Sequence, residues 1–174
     1  MRSTRYLIGV LSLAAVLCMM GSTASAQGTA PAPAAAAPTL HASAIQVLMV
    51  QSDEVKLPIQ FQLSLYEDLI TQLAKTGKFA HVYRDGDKSA GDAADLVTLH
   101  SNVFGFKEGS EEKRQVTTVA GATQIKVHCQ FTDKSGKTVL EQDVTGNVRF
   151  IGGNLRATFD FAKKVAQLAV TNFQ

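Results

Sequence analysis

Residues 125–133, Ile125-Lys126-Val127-His128-Cys129-Gln130-Phe131-Thr132-Asp133, decide how this chain folds. Ile125, Val127, Cys129 and Phe131 alternate with Lys126, His128, Gln130 and Thr132. Successive side chains of a strand point to opposite faces, so a period of two predicts a half-buried strand with one core face and one polar face. That alternation also bears on chemistry. Cys129 points inward and His128 outward, so the two neither ligate one metal nor act as a nucleophile with its base. A thiol in apolar surroundings keeps its proton and reacts slowly. Cys129 is expected to be packing, and His128 a surface histidine.

The strand is expected to begin near residue 116 and to turn at Asp133-Lys134-Ser135-Gly136 into a fifth strand over 138–151. There Leu140, Val144, Val148 and Phe150 share one parity, and Glu141, Asp143, Thr145 and Arg149 the other. Upstream, the apolar run 44–50 suits a buried strand. Ile59, Leu63, Tyr66, Leu69, Ile70 and Leu73 recur at helical spacing, with Pro58 opening the helix and Gly77 closing it, over about 58–76. Residues 79–84 and 96–106 read as strands two and three, with Gly105 marking a bulge. The charged segment 108–115 reads as a turn. After Gly152-Gly153-Asn154, a helix carries Phe161, Val165, Leu168 and Ala169 on one face. The order β-α-β-β-β-β-α predicts an α/β (α+β) two-layer sandwich: a largely antiparallel or mixed sheet of about five strands with two helices on one face.

The N-terminus carries an address. Arg2 and Arg5 precede an apolar run, and small residues follow up to Ala24-Ser25-Ala26. This is the pattern of a secretory signal peptide, residues 1–26, cut between Ala26 and Gln27. The apolar run is shorter than the roughly 20 residues a membrane helix needs, and no later segment reaches that length. Lipid attachment at Cys18, which would make an outer-membrane lipoprotein, is disfavoured because Leu17 stands where a small residue is wanted. Residues 27–43, rich in alanine with Pro31, Pro33 and Pro38, hold too little apolar surface to fold and are expected to be a disordered linker. A single globular domain is expected over 44–174.

Cleavage also removes two of the 17 Lys and Arg, leaving 15 against 15 Asp and Glu. A neutral chain without a basic cluster gives no basis for nucleic-acid binding. The expected location is the periplasm or the exterior, with no transmembrane segment in the mature chain.

Other motifs fail on spacing. Gly136-Lys137-Thr138 lacks the first glycine of a phosphate loop, which falls on Phe131, and it joins two strands instead of opening a helix. Asp85, Asp87, Ser89, Asp92 and Asp95 suggest calcium, yet an EF-hand register puts Ala90 and Leu96 where glycine and glutamate are required. His81 and His100 lack a third ligand. No catalytic, cofactor or metal residue is therefore assigned. One candidate remains: Gly152, Gly153, Asn154 and Arg156, where a glycine turn at a helix start stands beside an arginine and suits an anion. The competing reading is a tight turn in which Asn154 caps the helix.

Ala94-Asp95 opening a strand, Gly121-Ala122 opening the next, Asp133 with Ser135-Gly136-Lys137 at the hairpin, and the Gly-Gly-Asn before the last helix together resemble a family of exported bacterial domains of unknown function. The resemblance spans roughly residues 44–172. More remotely, the element order resembles the curli-secretion lipoprotein, the N-terminal domain of the Tol-system propeller protein, and lipoprotein activators of peptidoglycan synthases. It implies a non-catalytic module that binds another envelope protein through the polar sheet face or the 105–115 segment. A small-molecule or anion-binding domain is the alternative, and a hydrolase ranks last. Oligomeric state is left open.

Overall fold

The computed structural model describes residues 40–116, 121–148 and 152–174. The expected signal peptide, the expected linker up to residue 39, Phe150 and residues 117–120 of the expected fourth strand lie outside the described residues. Five strands form one mixed sheet: β1 (Ala44–Val47), β2 (His81–Tyr83), β3 (Leu96–Lys107), β4 (Thr123–Asp133) and β5 (Thr138–Val148). Their spatial order is β2-β1-β3-β4-β5. β1 runs parallel to both its neighbours, while β3-β4-β5 is an antiparallel meander. Two long helices, α1 (Ile59–Lys75) and α3 (Arg156–Asn172), pack together and cover one face.

The alternation of β4 becomes the core. Ile125, Val127, Cys129 and Phe131 are fully buried, whereas His128 and Gln130 are half-buried and Lys126 exposed. In β3, Val97, Leu99, Ser101 and Val103 take the core face. The register then shifts between Val103 and Gly105, which confirms the expected bulge. Phe104 is the extra residue, and its exposure frees Phe106 to turn inward and meet Phe61 edge-on at 4.8 Å between ring centres.

Pro58, with φ −59°, precedes α1, and its carbonyl accepts from the N–H groups of Phe61 and Gln62. Gly77, at φ 62°, ends the helix as expected. The buried stripe differs from the expected one. Phe61, Leu65, Tyr66, Leu69 and Leu73 face the sheet, while Ile59 and Leu63 are exposed. Two helical stripes compete in this segment, and the one that places Phe61 against Phe106 prevails. On α3, Ala157, Phe161, Ala162, Val165 and Ala169 are fully buried. Small side chains there let the helix lie close to β5, where Gly146 offers no Cβ. A Cβ at Gly146 would stand 2.2 Å from the Ala157 carbonyl oxygen.

Several expectations change, among them the start of β4, which is Thr123 and not residue 116, since Val116 is helical. Residues 40–43, expected to be linker, already belong to the fold: Leu40 N–H donates to the Asn172 carbonyl, Gln174 N–H donates to the Leu40 carbonyl, and Ala42 is buried. The expected disordered linker therefore does not include 40–43, because Phe173, packed against Phe79 and Phe131 and bridged to Leu40, supplies a surface for these residues. The expected charged turn over 108–115 contains a short helix, α2 (Glu111–Val116), which adds a third helix to the two expected. Lastly, α3 begins at Arg156 after Leu155, with no side-chain cap, so Asn154 is not its cap.

Candidate functional site

The sheet face away from α1 and α3 is polar, and its centre is His128. In register, His128 stands between Asn102 of β3 and Asp143 of β5. Its Nδ1 lies 2.7 Å from Asp143 Oδ1 and its Nε2 3.0 Å from Glu141 Oε1. The hydrogen bond to Asp143, joined by the charge of both carboxylates, raises the imidazole pKa above its ordinary value despite partial desolvation. Protonated, the ring donates from both nitrogens and ties β4 to two positions of β5. A hollow of about 210 Å³ opens beside it, lined by Met49, Gln51, His100, Asn102, His128 and Gln130. His100 Nε2 lies 3.2 Å from Thr132 Oγ1. Asn102 Oδ1 is buried with no hydrogen-bond partner among the described residues.

Cys129 lies on the opposite face, as the alternation requires. Burial pushes its thiol up to about 12, which leaves almost no thiolate at neutral pH. His81 stacks on Tyr83 at 5.8 Å, at the far edge of the sheet from His128. Two aspartates of the 85–95 segment serve the backbone: Asp85 Oδ2 accepts from the Met49 N–H, and Asp87 Oδ1 accepts from the Ser89 N–H. Asp133 Oδ1 accepts from the Ser135 and Lys137 N–H groups, so Ser135-Gly136-Lys137 is a hairpin turn, with Gly136 at φ 83°. Among the described residues, no three His, Cys, Asp or Glu side chains are placed to hold a metal.

The residues of the anion candidate lie around a buried arginine that their sequence gave no reason to expect. Arg114, from α2, is 4% exposed. Its guanidinium donates to the carbonyl of Gly121 at 2.5 Å and to that of Gly152 at 2.8 Å. Thr123 Oγ1 donates to Asn154 Oδ1, and Asn154 Nδ2 donates to Glu108 and to the Gly109 carbonyl. Gly152 and Asn154 thus join one polar knot that ties the end of β3, α2, the start of β4 and the entry to α3. Gly152 meets a cation through its carbonyl, while Gly153 and Arg156 are exposed beside it. Within the run Glu111-Glu112-Lys113-Arg114 nothing marks the fourth residue as buried, because the partners are backbone carbonyls distant in sequence.

The remaining built feature is the free edge of β5. Lys164 Nζ donates to the Thr145 carbonyl and pairs with Asp160, whose Oδ2 accepts the Asn147 N–H. A groove of about 480 Å³ continues along the edge, between Gln142–Thr145 of β5 and Lys164–Thr171 of α3.

A family model described as a domain of unknown function (DUF4410) matches residues 51–152. No curated protein matches the chain. Among solved structures, the PelC dodecamer from Paraburkholderia phytofirmans superposes with a TM-score of 0.57 at 18% identity, covering 79% of this chain and 94% of that one. A hypothetical protein from Chlamydia trachomatis gives 0.49 at 8% identity, over 74% and 94%. A protein from Xanthomonas campestris gives 0.48 at 14% identity, over 80% and 87%. The PelC likeness establishes a shared fold.

Proposed function

We propose that this chain, which belongs to the DUF4410 family of unknown function, is an exported, non-catalytic protein of the cell envelope that works by docking another protein. One observation carries this reading: the sheet buries one face under its helices and leaves the other polar and open, with its central imidazole tied to two carboxylates of the same face. Such an arrangement supplies hydrogen-bonding groups held in a fixed pattern, which suits recognition. The groups that would serve an enzyme are otherwise engaged. Cys129 is walled into the core, and His128 has a carboxylate on each nitrogen.

The PelC structures are described as dodecamers, so a further copy of this chain belongs among the partners to be tested. Among the described residues no helix is long and apolar enough to cross a membrane; the signal-peptide pattern of residues 1–26 supports a location outside the cytoplasm in this proposal. The test is fractionation of the native envelope, then crosslinking in the exported fraction and reciprocal capture from the partner's side. A single defined partner, lost when the domain is unfolded before crosslinking, is the expected result. Recovery of the same abundant proteins by folded and unfolded chain alike would overturn the reading.

A further inference from the structure

Strand β5 is an edge, and only part of that edge is closed. Residues opposite one another in an antiparallel pair alternate between hydrogen-bonded and non-hydrogen-bonded positions, so every second residue of an edge strand turns its N–H and C=O outward. The Asn147 N–H and the Thr145 carbonyl are outward groups, since both are met by side chains of α3. By the same alternation Asp143 and Glu141 turn their N–H and C=O groups outward, and no bond from the described residues reaches them. The closed end is held by the Asp160–Lys164 pair at 2.7 Å. The open end runs beside the 480 Å³ groove, whose lining includes Val144 and Leu168 as well as Gln142 and Gln167.

Charge indicates what fits. Glu141 and Asp143 stand at the open end with side chains 51% and 63% exposed, sharing one imidazole between them. The next cation on that face, Lys126, lies opposite Thr145 at the closed end. An antiparallel pairing of β5 with β5 of a second copy would set acidic side chains against acidic ones, which is unfavourable. We infer that the open half of the β5 edge accepts an added strand from a partner protein, an extended segment in which lysine or arginine alternates with apolar residues. Its basic side chains lie beside Glu141 and Asp143, its apolar ones turn toward Val144 and Leu168, and its backbone completes the ladder. This rests on the docking function proposed above and names the surface and the kind of segment.

The test uses the purified chain, isotopically labelled, with a fluorescent peptide of alternating lysine and valine and a matched peptide of alternating glutamate and valine. The lysine peptide is expected to bind, shifting the amide signals of residues 141–145 and 164–171, and the glutamate peptide is not. Glu141→Pro removes one outward N–H without touching the β4–β5 ladder and is expected to abolish binding. A folded double variant, Glu141→Lys with Asp143→Lys, weakens binding about fivefold or more. Equal binding of the two peptides, no binding of either, shifts confined to other residues, or protection of this edge by self-association in sedimentation would each overturn the inference. If crosslinking captures the same envelope partner with Glu141→Pro as with the native chain, the edge is excluded while the docking function stands.

Discussion

Gly146→Ala is the substitution that most directly tests how α3 is seated. Gly146 is buried in β5, and a Cβ there would lie 2.2 Å from the Ala157 carbonyl oxygen, 2.6 Å from Phe161 Cβ and 3.1 Å from Phe161 N. Ordinary contacts begin near 3.4 Å, so the first two fall short by about an ångström, against backbone or a Cβ that no rotamer change can move. The first turns of α3 must lift, and Ala157, Phe161 and Ala162, all fully buried, lose contact with the sheet. Overpacking of this kind costs about 3 kcal/mol, a large share of the roughly 5–15 kcal/mol that holds a domain together. In urea, with a slope near 1.5 kcal/mol/M, the midpoint is expected to drop by about 2 M. Gly91→Ala is the control: no atom lies within 4 Å and no positive φ is involved, so its stability is expected to stay within about 0.5 kcal/mol of the parent. A Gly146→Ala midpoint as close to the parent as that of Gly91→Ala would refute the close approach of α3 to β5.

Three further outcomes follow from the same geometry. His128 has its pKa raised by Asp143 and Glu141, so its contribution to stability is full below the unfolded value of about 6.5 and is lost as pH rises through the higher folded value. Thermal melts of native chain and His128→Gln are expected to differ most at the acid end of that window, and identical pH profiles would refute the clamp. Arg114→Met leaves the Gly121 and Gly152 carbonyls without their donor and is expected to cost about 1–2 kcal/mol in urea titration. Arg114→Lys should restore little of this, since an ammonium cannot reach both carbonyls in the fixed fork of a guanidinium. Finally, in a Cys18→Ser background, Cys129 is expected to react with a thiol reagent at pH 8 only as fast as the fold opens, and at once in denaturant, because burial raises its pKa to about 12. Prompt labelling of the folded chain would contradict this.

Much of the fold was legible because β4 and β5 are each covered on one face alone, so the pleat wrote itself into the sequence as Ile125, Val127, Cys129 and Phe131 against Lys126, His128 and Gln130. Gly77, Gly105 and Gly136 were legible for a similar reason: each marks a local backbone event that a residue type reports by itself. α1 was misread at Ile59 and Leu63 because it carries apolar residues on more than one stripe, and the choice between stripes belongs to Phe106, 45 residues beyond Phe61. The burial of Arg114 and the roles of Gly152 and Asn154 left no local trace, since their partners arrive from α2, β3 and β4. The β5 groove was equally silent. Its walls are adjacent only once α3 has returned along the sheet, and its closed end depends on Asp160 and Lys164 reaching Asn147 and Thr145.

The extra residue in β3 has an evolutionary corollary. Because Val103 pairs with Val127 and Gly105 with Lys126, excising one residue at the bulge, Phe104 or Gly105, leaves the rest of the strand in step, whereas a loss further back, at Ser101 for example, inverts inside and outside for the residues between it and the bulge. The bulge is therefore where β3 best tolerates the loss of a residue. A relative with a straight, shorter strand at this point keeps the same interior while sending residues 107–110, and with them the approach to Arg114, along a different heading.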